Sequence, residues 1–551
     1  MKTMNNAIIN FKCKVALLFL MSLISCEKSL DVSPKDQVTD NTLLASTGNA
    51  DLFLNGIYAS LPDVYNMQES EDAWTDNAMC GYVYYVSRAL INKSVYTSAN
   101  APTYWTQYVN IRKCNLFIAK VESSTLPDTW KKLRLAEARF LRAYFYQLLW
   151  IHYGGVPIIT EVLDKNSQGD SIFRERNTDG ETFKFITDEC AAIATDLPVK
   201  PAETGRATKG AALTLKGWCE LFEASLLKNP ENDKTKWVLA ASTYKSVMDL
   251  ATYSLFPDLE TMFFEGNNNN VEVIFSKAYL GGTSLGGSKE GLWGTRIVGG
   301  AQVGYGAMNP SQELVDEYVM ANGLPISDPA SGYNPQNPYV NREKRFYQSI
   351  IYDGSFWLGY EIVIKQGLGS RNATDLSNAS GGGTNTGYGL RKGLDPKYAI
   401  NGYSRLNSAG FIIFRYAEVL LGYAEAQNEA SGPDASVYDA LNKVRARSGL
   451  PPLEAGLNQD QMRVIIRRER RVELSFEEKR WNDLIRWKIA EINLNSTIHA
   501  MYIEKINNIW VYKIIPATDG SRIFYANKNY LLPLPQGAMD KNSKLTQNPN
   551  Y

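Results

Sequence analysis

The side chains with the most distinctive chemistry in this chain are aromatic. It holds 32 tyrosines, 20 phenylalanines and 11 tryptophans against only two histidines, His152 and His499. Trp74 lies in the run ESEDAWTDN, two residues before Asp76, and Tyr82, Tyr84 and Tyr85 follow it closely. Trp293 falls in a glycine-rich stretch with Tyr305 beyond it, and Trp357 and Tyr360 come after a further turn. A flat ring can carry the apolar C–H face of a sugar while Asp, Asn and Arg bond its hydroxyls. Trp74, Asp76, Tyr84, Trp293, Tyr305 and Trp357 therefore form the candidate ligand-binding set. For each ring the competing reading is an anchor that ties a long loop to the core. Trp105, Trp150, Trp218, Trp481 and Trp487 sit in helix-like patterns and are expected in the core.

Little else in the chain points to catalysis. Two histidines make His-dependent hydrolysis and His-rich metal sites hard to build, and neither an HExxH nor a GxSxG run occurs. The glycine-rich stretches match no phosphate loop. Paired carboxylates for glycoside cleavage are defined by spatial separation and cannot be located from sequence. No catalytic residue, metal ligand or cofactor is assigned, and a structural calcium ion in a loop stays an open alternative. The run Arg467-Arg468-Glu469-Arg470-Arg471 could suggest a nucleic-acid patch, but acids interleave with it at helical spacing, as with Arg470 and Glu473. A solvated or ion-paired helix face is the expectation. The chain's 58 basic and 58 acidic residues also argue against bulk electrostatic binding of nucleic acid.

The N-terminus indicates a compartment. Lys2, Lys12 and Lys14 precede an apolar run from Val15 to Ile24, too short to span a bilayer but suited to a signal peptide. The run ends in Leu23-Ile24-Ser25-Cys26, the pattern of a bacterial lipobox, with Cys26 as the acylated residue. Several acyl chains would hold a soluble domain at a membrane where one would not. Cleavage before Cys26 removes three lysines and no acid, so the remainder is slightly acidic. Cys80, Cys114, Cys190 and Cys219 are far apart in sequence. Buried free thiols are the expectation for them, with one disulfide possible.

The elements that must position these residues read as mainly helical. Leu133 to Tyr153 has apolar residues at 136, 140, 141, 144, 145, 148 and 149, a broad helical stripe closed by Gly154-Gly155-Val156-Pro157. Further patterns run over 182–197, from an N-cap at Thr208, and over 236–251, 416–430, 437–447 and 461–488. Paired helices of about 15 residues, with Gly and Ala where two must approach, suggest tetratricopeptide-like units. Residues 254–410, with Asn267–Asn270 and two glycine-rich stretches, read as a loop-rich insertion with minor β-structure. The expected organisation is a signal peptide (1–25), a lipidated tether (26–45), a helical region (46–253), a loop-rich ligand-binding region (254–410) and a helical region (411–551), the last three forming one unit.

In this order the segments resemble the SusD/RagB family of outer-membrane nutrient-binding lipoproteins. The resemblance rests on the lipobox at Cys26, AEARFLRAYFYQLLWIHYGGVPII at 136–159, GRATKGAALTLKGWCELFEA at 205–224 and NPSQELVDEYVMANG at 309–323. It continues through NREKRFYQSIIYDG at 341–354, TGYGLRKGLDP at 386–396, FRYAEVLLGYAEAQNEA at 414–430 and RRERRVELSFEEKRWNDLIRW at 467–487. It implies a mainly α fold, a tetratricopeptide-like superhelix carrying a loop-rich binding half. It also implies a lipid-anchored protein on the cell exterior that captures oligosaccharides, or in the RagB branch peptides. The cargo would pass to a SusC-like TonB-dependent outer-membrane transporter, with no catalysis and no nucleic-acid partner. A surface glycosidase and a purely structural scaffold are the remaining alternatives.

Overall fold

The computed structural model describes residues 44–67, 69–368, 384–399 and 404–551. The expected signal peptide, Cys26 and most of the tether lie outside the described residues. The chain divides into two units, Met1–Phe53 and Leu54–Tyr551, and the architecture below belongs to the second. No helix among the described residues is long and apolar enough to cross a membrane.

Among the described residues nine helices build the scaffold: α1 (Gln107–Glu122), α2 (Asp128–Tyr153), α3 (Asp179–Ile193), α4 (Lys209–Ala224), α5 (Lys234–Met248), α6 (Tyr416–Ser431), α7 (Ala435–Arg447), α8 (Gln459–Glu473) and α9 (Arg480–Arg486). From α1 to α7 each packs on the next in chain order, and α6 also packs on α8. The helices thus form a row of neighbouring pairs, and the segment between α5 and α6 leaves the row and returns to it. Local signals explain the ends. Thr208 accepts a hydrogen bond from the Ala211 amide at the start of α4, the cap its sequence suggests. Thr178 and Glu181 form a reciprocal capping box at the start of α3. Helix α2 ends at Gly154, whose φ of +73° suits glycine.

Close approach in the row depends on missing side chains. Tyr244 of α5 is fully buried between α4 and α6. A Cβ on Gly422 would sit 2.7 Å from the Tyr244 ring, and one on Gly217 would sit 3.3 Å from it. The two glycines make room for one large ring where a bulkier pair would force the helices apart.

Among the described residues twelve strands pair as six antiparallel ribbons: β1 (Ala78–Cys80) with β5 (Met308–Pro310), β2 (Val273–Lys277) with β10 (Phe411–Arg415), β3 (Ile297–Val298) with β4 (Ala301–Gln302), β6 (Ile350–Ile351) with β9 (Gly389–Leu390), β7 (Phe356–Trp357) with β8 (Tyr360–Glu361), and β11 (Thr497–Ile506) with β12 (Ile509–Ser521). The first five lie wholly or partly in 254–410, as minor β-structure there requires. The sixth departs from the sequence reading, which made 411–551 helical. It is the longest ribbon and turns through Asn507 and Asn508, both at positive φ (49° and 69°), the geometry a tight hairpin needs.

A second departure is the pattern at 461–488, which is two helices rather than one. The chain breaks between α8 and α9, with Phe476 (φ 61°) and Glu478 (φ 60°) in left-handed conformations. The break folds the charges of this region inward. Arg415, 1% exposed, meets Glu272, Glu473 and Glu477 at 2.7, 2.7 and 2.6 Å. Arg345 meets Glu343 and Glu469 at 2.6 and 2.8 Å, and Arg445 meets Glu469 at 2.7 Å. Arg470 pairs with Asp483 at 3.0 Å rather than with Glu473, and Arg486 is bidentate to Glu425 at 2.5 and 2.6 Å. In the basic run Arg468, Arg470 and Arg471 are ion-paired, Arg467 lies over the Trp487 ring at 4.7 Å, and Glu469, Arg470 and Arg471 are core rather than solvated surface. Isolated charges could not survive there, but matched and hydrogen-bonded ones can.

Cys80, Cys114, Cys190 and Cys219 are buried free thiols, so the possible disulfide does not form among them. Trp150, Trp218, Trp481 and Trp487 are buried as expected. Trp105 is half-buried and lies in the turn before α1 rather than within a helix. Each histidine is held by one carboxylate: His152 Nε2 lies 3.2 Å from Glu71, and His499 Nδ1 lies 2.6 Å from Glu313.

Candidate functional site

The six candidate residues do not converge on one surface. Trp74 is 6% exposed and its ring meets Trp481 edge-on at 5.5 Å. Asp76 is 3% exposed. Its two oxygens accept from Arg480 at 2.8 Å each, and Oδ2 also lies 3.1 Å from Arg471 and 2.9 Å from Asn493. Burial opposes the Asp76 charge, yet the Arg471 and Arg480 guanidinium groups hold its carboxyl well below the usual range. Trp293 ends a short helical turn, Lys289–Trp293, instead of lying in an open loop. Its Nε1 donates to the Met67 carbonyl at 3.0 Å. Trp357 is 3% exposed and lies under the Arg391 guanidinium at 5.5 Å. In this structure these four side chains have no free face, because each supplies area or charge that the loops need for attachment.

Tyr84 and Tyr305 differ. Tyr84 is 67% exposed and Tyr305 is 40% exposed. They come together through the β1–β5 ribbon, in which Cys80 pairs with Met308. Beyond the ribbon the Gly81 amide donates to the Ala307 carbonyl at 2.9 Å. A Cβ on Gly81 would sit 2.2 Å from the Gly306 carbonyl oxygen, so only glycine allows this approach. Two buried amides pin the same backbone. Asn385 Nδ2 donates to the Gly81 carbonyl at 3.0 Å, and Asn309 Nδ2 donates to the Gly306 carbonyl at 3.1 Å.

The result is a tyrosine platform. The Tyr82 hydroxyl donates to the Tyr305 carbonyl at 2.6 Å, joining the two loops. The Tyr82, Tyr84 and Tyr85 rings form a triangle with centroids 5.6, 5.4 and 4.8 Å apart, all tilted or edge-on. Such contacts fix the rings against one another and leave the Tyr84 face to solvent. Val83 and Val86 are also exposed. Arg296 stands at the Gly306 side, with its Cβ 3.7 Å from where a Gly306 Cβ would be. Burial lifts the Tyr82 phenol above its ordinary value, and the Arg296 charge offsets part of that rise.

The platform is held from below. A five-residue π-helical turn, Ser87–Ile91, follows the tyrosines directly. The Ser87 amide donates to Glu69 at 2.9 Å, and Arg88 donates to the Cys80 carbonyl at 3.2 Å. Asp76 lies two residues before β1, so its clamp on Arg471 and Arg480 ties the platform strand to the ionic core. A second exposed aromatic pair, Phe356 (66%) and Tyr360 (48%), caps the β7–β8 ribbon. The Tyr360 ring packs on Gly299 in the β3–β4 turn.

Sequence reasoning placed Tyr82 and Tyr85 near the site but missed Arg296, which nothing in WGTRIVGG distinguishes. A cavity of 310 Å³ opens elsewhere, beside Tyr58, Glu203, Arg206 and Ser276. Its charges are matched already, Arg206 lying 2.8 Å from Glu203 and 3.2 Å from Glu137. Among the described residues no group of three or more His, Cys, Asp or Glu side chains could hold a metal ion.

Comparison with known proteins decides the family. The SusD family model matches residues 271–551, more than half of the chain. The chain belongs to the SusD family. Residues 28–216 also match a SusD-like family described as starch-binding and associating with the outer membrane. SusD-like protein P25 of Formosa agariphila is 25% identical over 507 residues, covering 86% of this chain and 89% of the relative. SusD-like protein P2 of the same organism is 37% identical, but over only 27% of each chain. A SusD-like carbohydrate-binding protein of Bacteroides fragilis, solved by crystallography, superposes with a TM-score of 0.76 at 27% identity, covering 92% of this chain and all of that one. The mainly helical fold with small sheets is thus the SusD-like fold.

Proposed function

We propose that this SusD-family chain is a non-catalytic glycan-binding protein and that the Tyr82–Tyr85 and Tyr305 platform is its sugar-contacting surface. One observation carries the reading. Tyr84 and Tyr305 are exposed where two loops are locked together by glycine contact, paired asparagines and a ribbon anchored in the ionic core. Such support suits a preorganised binding surface, since it lowers the ordering cost of capture. The carbohydrate-binding relative in Bacteroides fragilis supports the ligand class.

The finer role follows the family resemblance. The chain is anchored by lipid at Cys26 to the outer membrane, faces the exterior, and delivers captured oligosaccharide to a SusC-like TonB-dependent transporter. Trp74, Asp76, Trp293 and Trp357 support the loops and do not touch the ligand. A peptide ligand is the second reading, favoured by the apolar Val83 and Val86 beside the rings. The test is a screen of the purified protein against polysaccharides by affinity electrophoresis and against peptides by native mass spectrometry. Retardation by at least one glycan without release of shortened product supports the proposal. Co-purifying peptides with no glycan retained would replace it with the second reading, and product release would replace it with a glycosidase.

A further inference from the structure

The platform carries a charge that its rings do not need. Arg296 is half-buried, and its Nε is enclosed without a hydrogen-bond partner. Among the described residues its guanidinium has no ion pair and no side-chain hydrogen bond. Arg467 shares this condition but lies over the Trp487 ring at 4.7 Å, whereas Arg345, Arg415, Arg445, Arg470, Arg471, Arg480 and Arg486 are each matched to carboxylates. The nearby acids are committed elsewhere. Glu69 turns inward to Ser87, and Asp519 is shared by Arg88 and Lys93 at 3.2 and 3.4 Å.

We infer that the platform selects anionic polysaccharide, with Arg296 receiving a carboxylate or sulfate of the sugar whose ring lies on the tyrosines. The inference rests on the platform being the glycan site. A half-buried charge with no counter-ion is costly to keep, and an anion arriving with the sugar would pair with it at the terminal nitrogens, which are not enclosed as Nε is. Guanidinium matches a carboxylate or sulfate in a planar, charge-assisted fork that a neutral hydroxyl cannot reproduce. The Tyr82 hydroxyl is already used on the Tyr305 carbonyl, and Arg296 is the charged donor beside the rings. Without a carboxylate beside it, the rings would not repel such a polymer.

The experiment uses the purified full chain with polygalacturonate, which carries carboxylates, κ-carrageenan, which carries sulfates, and neutral β-galactan. At low salt we expect binding at least about tenfold tighter to one anionic polymer than to the neutral one, and which polymer wins identifies the anion. The preference shrinks in about 0.5 M NaCl. Arg296→Gln lowers the anionic-to-neutral ratio about tenfold, and Arg296→Lys restores part of it. Galactan bound as tightly as both anionic polymers, or a ratio unmoved by Arg296→Gln, overturns the inference. If Tyr84→Ala weakens binding while Arg296→Gln leaves the ratio intact, the platform stands and only the charge selection fails. If Tyr84→Ala changes no affinity, the platform itself is wrong.

Discussion

Asp76→Ala separates a ligand contact from a structural ion. The carboxylate is buried and takes four contacts within 3.1 Å from Arg480, Arg471 and Asn493. Its removal leaves Arg471 with Glu317 at 2.8 Å but strips Arg480 of its ion-pair partner. Breaking a buried pair in this way costs about 3–5 kcal/mol, because a guanidinium stays desolvated and unmatched. A unit of about 500 residues unfolds with an entropy of about 1 kcal/mol/K, so the melting temperature should fall by about 3–5 °C. Asp76→Asn, which keeps the shape, should fall less. The assay pairs differential scanning calorimetry with glycan affinity measured well below the transition. The expected result is a lowered melting temperature with affinity held within about twofold, since the clamp lies beneath the platform and the ribbon retains its glycine and asparagine locks. An unchanged melting temperature with binding lost would refute the reasoning and return Asp76 to the ligand site.

Two further perturbations test other parts of the account. Gly81→Ala places a methyl 2.2 Å from the Gly306 carbonyl oxygen. It should part the two loops, weakening glycan binding and lowering stability by about 1–3 kcal/mol, read by calorimetry and affinity electrophoresis; unaltered binding would show that the loops need no such contact. Burial pushes the Asp72 carboxyl up to about 6, against about 3.9 when unfolded. The native group holds its proton more tightly than the unfolded one, so this contribution to stability is present below about pH 4 and lost as pH rises through about 6. Asp72→Asn should therefore raise the melting temperature relative to wild type more at about pH 7.5 than at about pH 4, and an equal difference at both would contradict the burial argument.

Much of the scaffold was legible because helices declare themselves locally. The stripe at 136–149 and the Thr208 cap needed no tertiary information. The break between α8 and α9 was not legible. Phe476 and Glu478 are ordinary residues in unusual conformations, imposed by partners such as Lys392, Arg415 and Glu71 that are remote in sequence. The β11–β12 ribbon did leave a signal, Asn507-Asn508 between apolar segments, but a bulge near His499 disturbs the alternation that would have exposed it. The candidate site was half legible. Composition shows that aromatics are abundant, but burial decides which are free. Trp74 and Tyr84 stand ten residues apart in one segment, one against Trp481 and the other in solvent.

The central claim is that the exposed tyrosines carry the ligand. Its most direct test is the binding isotherm of Tyr84→Ala for whichever glycan the wild-type protein retains. The side chain is 67% exposed, so its loss should leave the melting temperature within about 1 °C. Affinity should fall about tenfold or more, about 1.4 kcal/mol of stacking. Wild-type affinity in a normally folded Tyr84→Ala protein would contradict it.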